Sequence, residues 1–359
     1  MAKTTLTLLT LALLLLLLST PAHSTSPPAI YVFGDSAVDA GNNNFLDIEI
    51  KSNFAPYGID YPGGVATGRF TNGLTFADFI SQWFGLMLIP PIMDGHSTQG
   101  ANTKGFNYAS AAAGLLPKTC EVTKNPMSMG KQVELFTKTV NEYLPSLPMY
   151  KDKAALSSDL SKSFFLVHMG SNDYMLNYFD PNFSTAKEHN PEQFADLLVT
   201  ELGKSLEELS NLGARKFIVF GIGLLGCTPV VIDKMKVETK CAESVNEAVK
   251  IFNTKLEAKL VQLCSTLKGS TFTMGNPYNL GREVMDNPGF KETRKPCCGS
   301  GDGKGPCSRN QVPCQDRTAY KFWDFTHPTQ ATHELLAKKC FDGTGVCTPL
   351  NLIELMQKI

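Results

Sequence analysis

Ile30-Tyr31-Val32-Phe33-Gly34-Asp35-Ser36 passes from a run of aromatic and β-branched residues straight into a turn. The apolar run suits a buried strand and Gly34-Asp35 suits the turn that ends it, so the segment predicts a strand that delivers a serine at its carboxyl end. In open α/β sheets ligands gather outside the carboxyl ends of the strands, where the sheet behind holds a side chain rigidly. Ser36 is therefore a candidate nucleophile. Taken alone, Gly-Asp-Ser is more commonly an ordinary turn.

Four further segments have strand character: Phe106 to Ser110, Phe164 to Val167, Phe217 to Phe220 and Thr271 to Met274. Helical spacing separates them. Leu74, Phe76, Phe79, Ile80, Trp83 and Phe84 form one face of a helix capped by Thr71 or Asn72 and closed by Gly85. Other helices are expected over Lys131 to Leu144, over Pro191 to Leu212 with a soft point at Gly203, over Val237 to Leu267, and from Pro328 onward with Ala331, Leu335 and Leu336 inward. Strands alternating with helices imply a doubly wound α/β fold with a mostly parallel five-stranded sheet.

The amino terminus reads as a secretory signal: Met1-Ala2-Lys3, an almost unbroken apolar run from Leu6 to Leu18, then small and polar residues to Ser24. A membrane span needs about 20 apolar residues, and neither this run nor any later one qualifies. The expected organisation is a signal peptide over 1–24 and a single domain over 25–359, secreted to the extracellular space. With 33 basic and 34 acidic residues the formal charge is −1 and no basic stripe suggests nucleic acid. Ten cysteines in an exported chain read as disulfides. The candidates are Cys297, Cys298, Cys307 and Cys314 in a Gly-rich loop, and Cys340 with Cys347. Zinc is the competing reading for the loop, weakened because adjacent Cys297-Cys298 lacks the spacer of a zinc knuckle. Asn182-Phe183-Ser184 is a glycosylation sequon.

Three predicted strands end in unusual turns, at Gly34-Asp35-Ser36, Ala113-Gly114 and Gly170-Ser171-Asn172-Asp173. A parallel sheet brings such ends to one edge. Near the carboxyl terminus, Asp324 and His327 lie three apart just before a helix, close enough for the carboxylate to reach the imidazole. A hydroxyl is a feeble nucleophile unless a histidine accepts its proton and an acid orients the ring, and these residues supply both. His168, on a strand, reads as a packed core residue.

The blocks Gly34-Asp35-Ser36 with Asp39-x-Gly41-Asn42-Asn43, Gly105-x-Asn107-Tyr108-Ala109-Ser110, Gly170-x-Asn172-Asp173 and Asp324-x-x-His327-Pro328-Thr329 resemble, in order, those of the plant GDSL esterase/lipases, a branch of the SGNH hydrolases. The resemblance extends over Thr67 to Gly73, Gly226-Cys227-x-Pro229 and Pro296-Cys297-Cys298-Gly299. It implies a flavodoxin-like three-layer α/β/α fold and a secreted serine esterase or lipase acting on a small-molecule ester. Ser36 would be the nucleophile, His327 the base and Asp324 the orienting acid. The oxyanion hole would comprise the Ser36 N–H, a second-block glycine and the Asn172 amide. Gly114 is the assigned glycine and Gly105 the alternative. Ala37 stands where the family has leucine, and Ala111-Ala112-Ala113 where glycines are frequent. No metal, organic cofactor or obligate protein partner is implied. Tyr174, Met175, Leu176, Tyr178 and Phe179 line either an acyl cleft or the core. An acyltransferase using the same site and a secreted non-catalytic binding protein are the alternatives.

Overall fold

The computed structural model describes residues 26–98, 104–121, 123, 126–238, 240–286, 289–299 and 306–358, so the predicted signal peptide lies outside the described residues. In chain order the elements that frame the site are β1 (Ile30–Gly34), α1 (Phe76–Trp83), α2 (Met129–Lys138), β2 (Phe164–His168), α3 (Pro191–Asn211), β3 (Lys216–Phe220), α4 (Glu243–Thr266), β4 (Thr271–Gly275), α5 (Pro277–Asp286), β5 (Glu292–Pro296), β6 (Tyr320–Phe322), α6 (Gln330–Phe341) and β7 (Cys347–Thr348). The main sheet has the order β1-β2-β3-β4-β7. Its first four strands are parallel and in step, so that Gly34, His168, Phe220 and Gly275 end them in a row.

The fifth strand is not the expected one. Residues 104–110 run alongside the free edge of β1, with Val32 N–H donating to Phe106 O at 3.0 Å and Tyr108 N–H to Val32 O at 2.7 Å. Only Asn107 forms a bridge there, because its other edge is taken by Pro90, Pro91 and Ile92 and its side chain by Val38 O. The segment still occupies the place of a second strand, giving the flavodoxin-like order. On the opposite edge the short antiparallel β7 completes five strands.

Alternation sorts the strand side chains between two cores. Tyr31, Phe33, Phe165, Val167, Phe217, Val219, Phe272 and Met274 pack against α2, α3 and α4. Ile30, Val32, Phe164, Leu166, Ile218 and Phe220 face α1, α5 and α6. The result is a three-layer α/β/α sandwich.

Several helix boundaries differ from expectation. Thr75, not Thr71 or Asn72, caps α1 in a reciprocal box with Asp78. Thr71 and Asn72 are engaged elsewhere, bonding Pro328 O and Gln330 N at the start of α6. Gly203 does not interrupt α3. A Cβ there would lie 2.4 Å from Lys259 Cε, so the glycine lets α4 lie close. The helix expected from Val237 begins at Glu243, since the preceding residues are tied back by the Cys227–Cys241 disulfide. In α6 Leu336 is buried while Ala331 and Leu335 are half-buried.

Candidate active site

The row of strand ends carries the site. Past β1 the chain turns sharply: Asp35 Oδ1 accepts from Ala37 N, and Val38 N–H and Asp39 N–H return to Asp35 O. A Cβ on Gly34 would lie 2.5 Å from His168 O, so only glycine lets the two strand ends meet this closely. The buried Gln132 amide clips the same residue, accepting from Gly34 N and donating to Gly34 O, both at 2.8 Å. Ser36 is thus mounted on a braced turn.

His327 reaches it from the other end of the chain. Its Nε2 lies 2.8 Å from Ser36 Oγ, and its Nδ1 lies 2.8 Å from Asp324 Oδ2 and 2.9 Å from Oδ1. The tautomer that satisfies both contacts has Nδ1 protonated and Nε2 free to accept the serine proton. Asp324 Oδ1 also accepts the N–H groups of Thr326 and His327, at 2.8 and 2.7 Å. Its Oδ2 accepts the Tyr57 hydroxyl at 2.6 Å. Burial alone would favour the neutral acid, but the neighbouring imidazole and these donors outweigh it and hold the Asp324 carboxyl below its ordinary range. Burial, and the Asp324 charge after it, push the Tyr57 hydroxyl far up, so that it remains a donor. Phe70 lies against the imidazole with ring centroids 5.0 Å apart.

Sequence reasoning missed Tyr57 and Gln132. Gly114 is buried against Asp173 and Thr119, where a Cβ would come within 2.7 Å of either side chain, and its main chain hydrogen-bonds the Cys120 sulfur. Gly105 lies beside Ile30, at the far end of β1 from Ser36. Ala112 is the residue of the second block that lines the cavity at the serine. It shares that cavity with Ser36, Asn172 and His327, and it has the left-handed φ of 65° that would ordinarily call for glycine. Among the described residues neither the Ser36 N–H nor the Ala112 N–H has a partner. Asn172 Nδ2 spends one hydrogen on Ala113 O at 2.9 Å and keeps the second for the site.

What fixes Ala112 is the block Asp39-x-Gly41-Asn42-Asn43. Asp39 Oδ2 and Asn43 Oδ1 accept the Ala111 N–H at 3.0 and 3.1 Å, and Asn42 Nδ2 spans the carbonyls of Asn107 and Ala109. Burial raises the Asp39 carboxyl to about 6, against the main-chain donors that favour its charge.

Two cavities meet at the serine, of about 160 and 190 Å³, sharing Ser36, Asn172, Met175, Leu225, Thr326 and His327. Of the aromatic and apolar residues after Asn172, Met175, Leu176 and Phe179 line the larger, whereas Tyr174 and Tyr178 belong to the core. His168 is buried, with Nδ1 3.4 Å from Asp35 Oδ1 but outside hydrogen-bond geometry. Asn182 is exposed in a turn.

The cysteine loop is crosslinked by Cys297–Cys314 and Cys298–Cys307, and Cys340 pairs with Cys347. Cys227–Cys241 was not anticipated. Among the described residues no group of His, Cys, Asp and Glu is arranged to hold a metal ion. No described helix is long and apolar enough to cross a membrane.

A family model described as GDSL-like Lipase/Acylhydrolase matches residues 30–340. A GDSL esterase/lipase of Arabidopsis thaliana is 40% identical over 342 residues, covering 91% of this chain and 87% of its own. A second from the same plant is 39% identical over 334 residues, covering 91% and 85%. Its GDSL esterase/lipase 7 is 36% identical over 342 residues, covering 93% of each.

Proposed function

The chain belongs to the GDSL-like lipase/acylhydrolase family and is a carboxylic ester hydrolase, and from that premise we propose that it works through an acyl-enzyme on Ser36. As Ser36 Oγ bonds to the ester carbonyl carbon, its proton passes to His327 Nε2 and the carbonyl oxygen takes up the negative charge. The N–H groups of Ser36 and Ala112 and the free Asn172 hydrogen stabilise that oxyanion. Collapse breaks the bond to the alcohol, which leaves with the proton from His327. Water then repeats the sequence, freeing the acid and restoring Ser36. Asp324 holds the ring and balances the imidazolium charge. Asp39, Asn42, Asn43, Gln132 and Tyr57 are positioning residues. The observation that carries this reading is the continuous contact from Ser36 through His327 to Asp324, with the N–H groups of Ser36 and Ala112 unpaired among the described residues.

The proposal includes export after loss of 1–24, leaving a single domain over 25–359 with glycan at Asn182. Supporting it are the amino-terminal pattern, the four disulfides and the exposed sequon. A fluorophosphonate probe should label the wild type at Ser36, and Ser36→Ala should lose both labelling and at least about a thousandfold of ester hydrolysis while remaining folded. Near-normal turnover in that variant would overturn the assignment.

A further inference from the structure

Beyond Ser36 and His327, the smaller cavity runs between α5 and α6, walled by Leu224, Leu280, Val284, Phe322, Leu335 and Leu336. One residue in this wall is out of character. Lys321, the middle residue of β6, also lines the cavity and is only 7% exposed. Lysines normally bury the stem and leave the ammonium in water. Here the ammonium has no hydrogen-bond or ion-pair partner among the described residues, and it lies over the Phe322 ring, 5.0 Å from the centroid. Burial lowers its pKa to about 8, and no neighbouring carboxylate pulls it back. The other titratable groups on the cavity are Asp35, His168, His327 and His333, of which Asp35 is the one carboxylate. Asp35 lies across the site, engaged with Ala37 and beside His168. Burial also depresses His333, to about 3, so it is neutral and supplies no counter-charge.

An unpaired ammonium in apolar surroundings is costly, and a substrate anion would relieve that cost. The two cavities differ in the residues that line them. The larger is rimmed by Lys234 and by Met235, which is 44% exposed, and suits the alcohol that departs first and the water that follows. The smaller, walled by apolar side chains that are buried or half-buried, suits the acyl arm that stays through the covalent intermediate. We propose that Lys321 recognises a carboxylate carried on the acyl arm, so that the preferred substrates are half-esters of dicarboxylic acids rather than simple alkanoates.

This inference rests on the acyl-enzyme reading above, and the test separates the two. The kcat/KM of p-nitrophenyl half-esters of dicarboxylic acids would be compared with that of p-nitrophenyl alkanoates of equal acyl length. Wild type should favour the anionic series at neutral pH, and the ratio of the two should fall roughly 10- to 100-fold in Lys321→Met, the range of a charge-assisted hydrogen bond. Lys321→Arg should keep the preference, and Lys338→Met, at an exposed site on α6, should leave the ratio where it was. In wild type the ratio should also decline as pH rises through about 8, where the ammonium loses its proton. Calorimetry on Ser36→Ala gives a readout without turnover: the half-ester should bind more tightly than the neutral ester, and adding Lys321→Met should abolish the difference. Failure of wild type to hydrolyse either series would defeat the esterase reading and leave the binding result to judge Lys321. Equal ratios in wild type and Lys321→Met, or equal binding of both esters by Ser36→Ala, would overturn the proposal.

Discussion

Tyr57→Phe isolates the least visible member of the site. The phenyl ring fills the same space among Phe54, Phe70 and Trp323, so the change removes one 2.6 Å hydrogen bond and little packing. Asp324 keeps three of its four donors: the two main-chain N–H groups and His327 Nδ1. A hydrogen bond to a charged group contributes roughly 1.5–3 kcal/mol, which corresponds to about one to two pKa units in the proton affinity of the carboxylate. The folded-state pKa of Asp324 lies below its unfolded value, so it contributes stability above the unfolded pKa that is lost as pH falls through the folded one. The variant reduces that depression. Its stability deficit should therefore be about 1.5–3 kcal/mol at neutral pH and shrink on acidification. A less satisfied carboxylate also attracts the imidazolium more strongly, so the acid limb of kcat/KM should move to higher pH. Urea denaturation at several pH values and the pH profile of ester hydrolysis measure the two effects. An unchanged acid limb together with unchanged stability would refute the assignment of Tyr57 as a positioning residue.

Asn172→Ala should lower kcat by roughly 100- to 1,000-fold with the protein folded, since one oxyanion donor is lost; a loss confined to KM would argue for substrate binding instead. Ala112→Gly should preserve activity, because the donor is main chain, and should raise stability by up to about 1 kcal/mol as relief of the left-handed conformation outweighs the entropy of glycine; a large drop in thermal stability would contradict this. Replacing Cys298 and Cys307 together by serine should cost about 2–4 kcal/mol and reduce turnover while far-UV circular dichroism stays native-like. Full activity in that double variant would show that the crosslink does not brace the site.

Ser36, Asn172, Asp324 and His327 were legible because each sits in a local pattern: two strand-ending turns and an Asp-x-x-His turn ahead of a helix. Tyr57 carries no such signal. It lies 267 residues from the carboxylate it serves, in a loop whose composition says only that it turns. Glycine is the usual residue where a backbone must approach a ligand, which points to Gly114. The cavity at Ser36 is lined instead by Ala112, whose φ is imposed from outside by Asp39 and Asn43, and no property of an alanine announces this. Lys321 was equally hidden, since a lysine in a short strand ordinarily marks its solvent face. The expected strand at 106–110 had the right composition and position, but Asn107 turned its pairing groups outward to Pro90 and Ile92.

The site has two halves of different mechanical character. Ser36 and Asn172 follow the adjacent strands β1 and β2 of a sheet buried on both faces, with Gln132 clamping Gly34 at the end of β1. His327 arrives 291 residues later on the loop between α6 and β6, a strand of the separate two-stranded sheet. Its support is assembled separately. Cys297 and Cys298 donate their N–H groups to Phe322 O and Trp323 O, at 2.9 and 2.6 Å, so the crosslinked loop is laced to the residue immediately before Asp324. Tyr57 packs with Cys297, Cys298, Cys307 and Trp323 and bonds the carboxylate, while Thr71 and Asn72 hold the start of α6 from the other side. A Gly-rich segment is costly to order and has little apolar area with which to offset that cost. The disulfides reduce it in the unfolded chain and leave the acid-base turn fixed from both flanks. The 2.8 Å contact between serine and histidine therefore depends on docking one rigid unit against another, and the cysteine-braced unit is the one whose loosening would break it first.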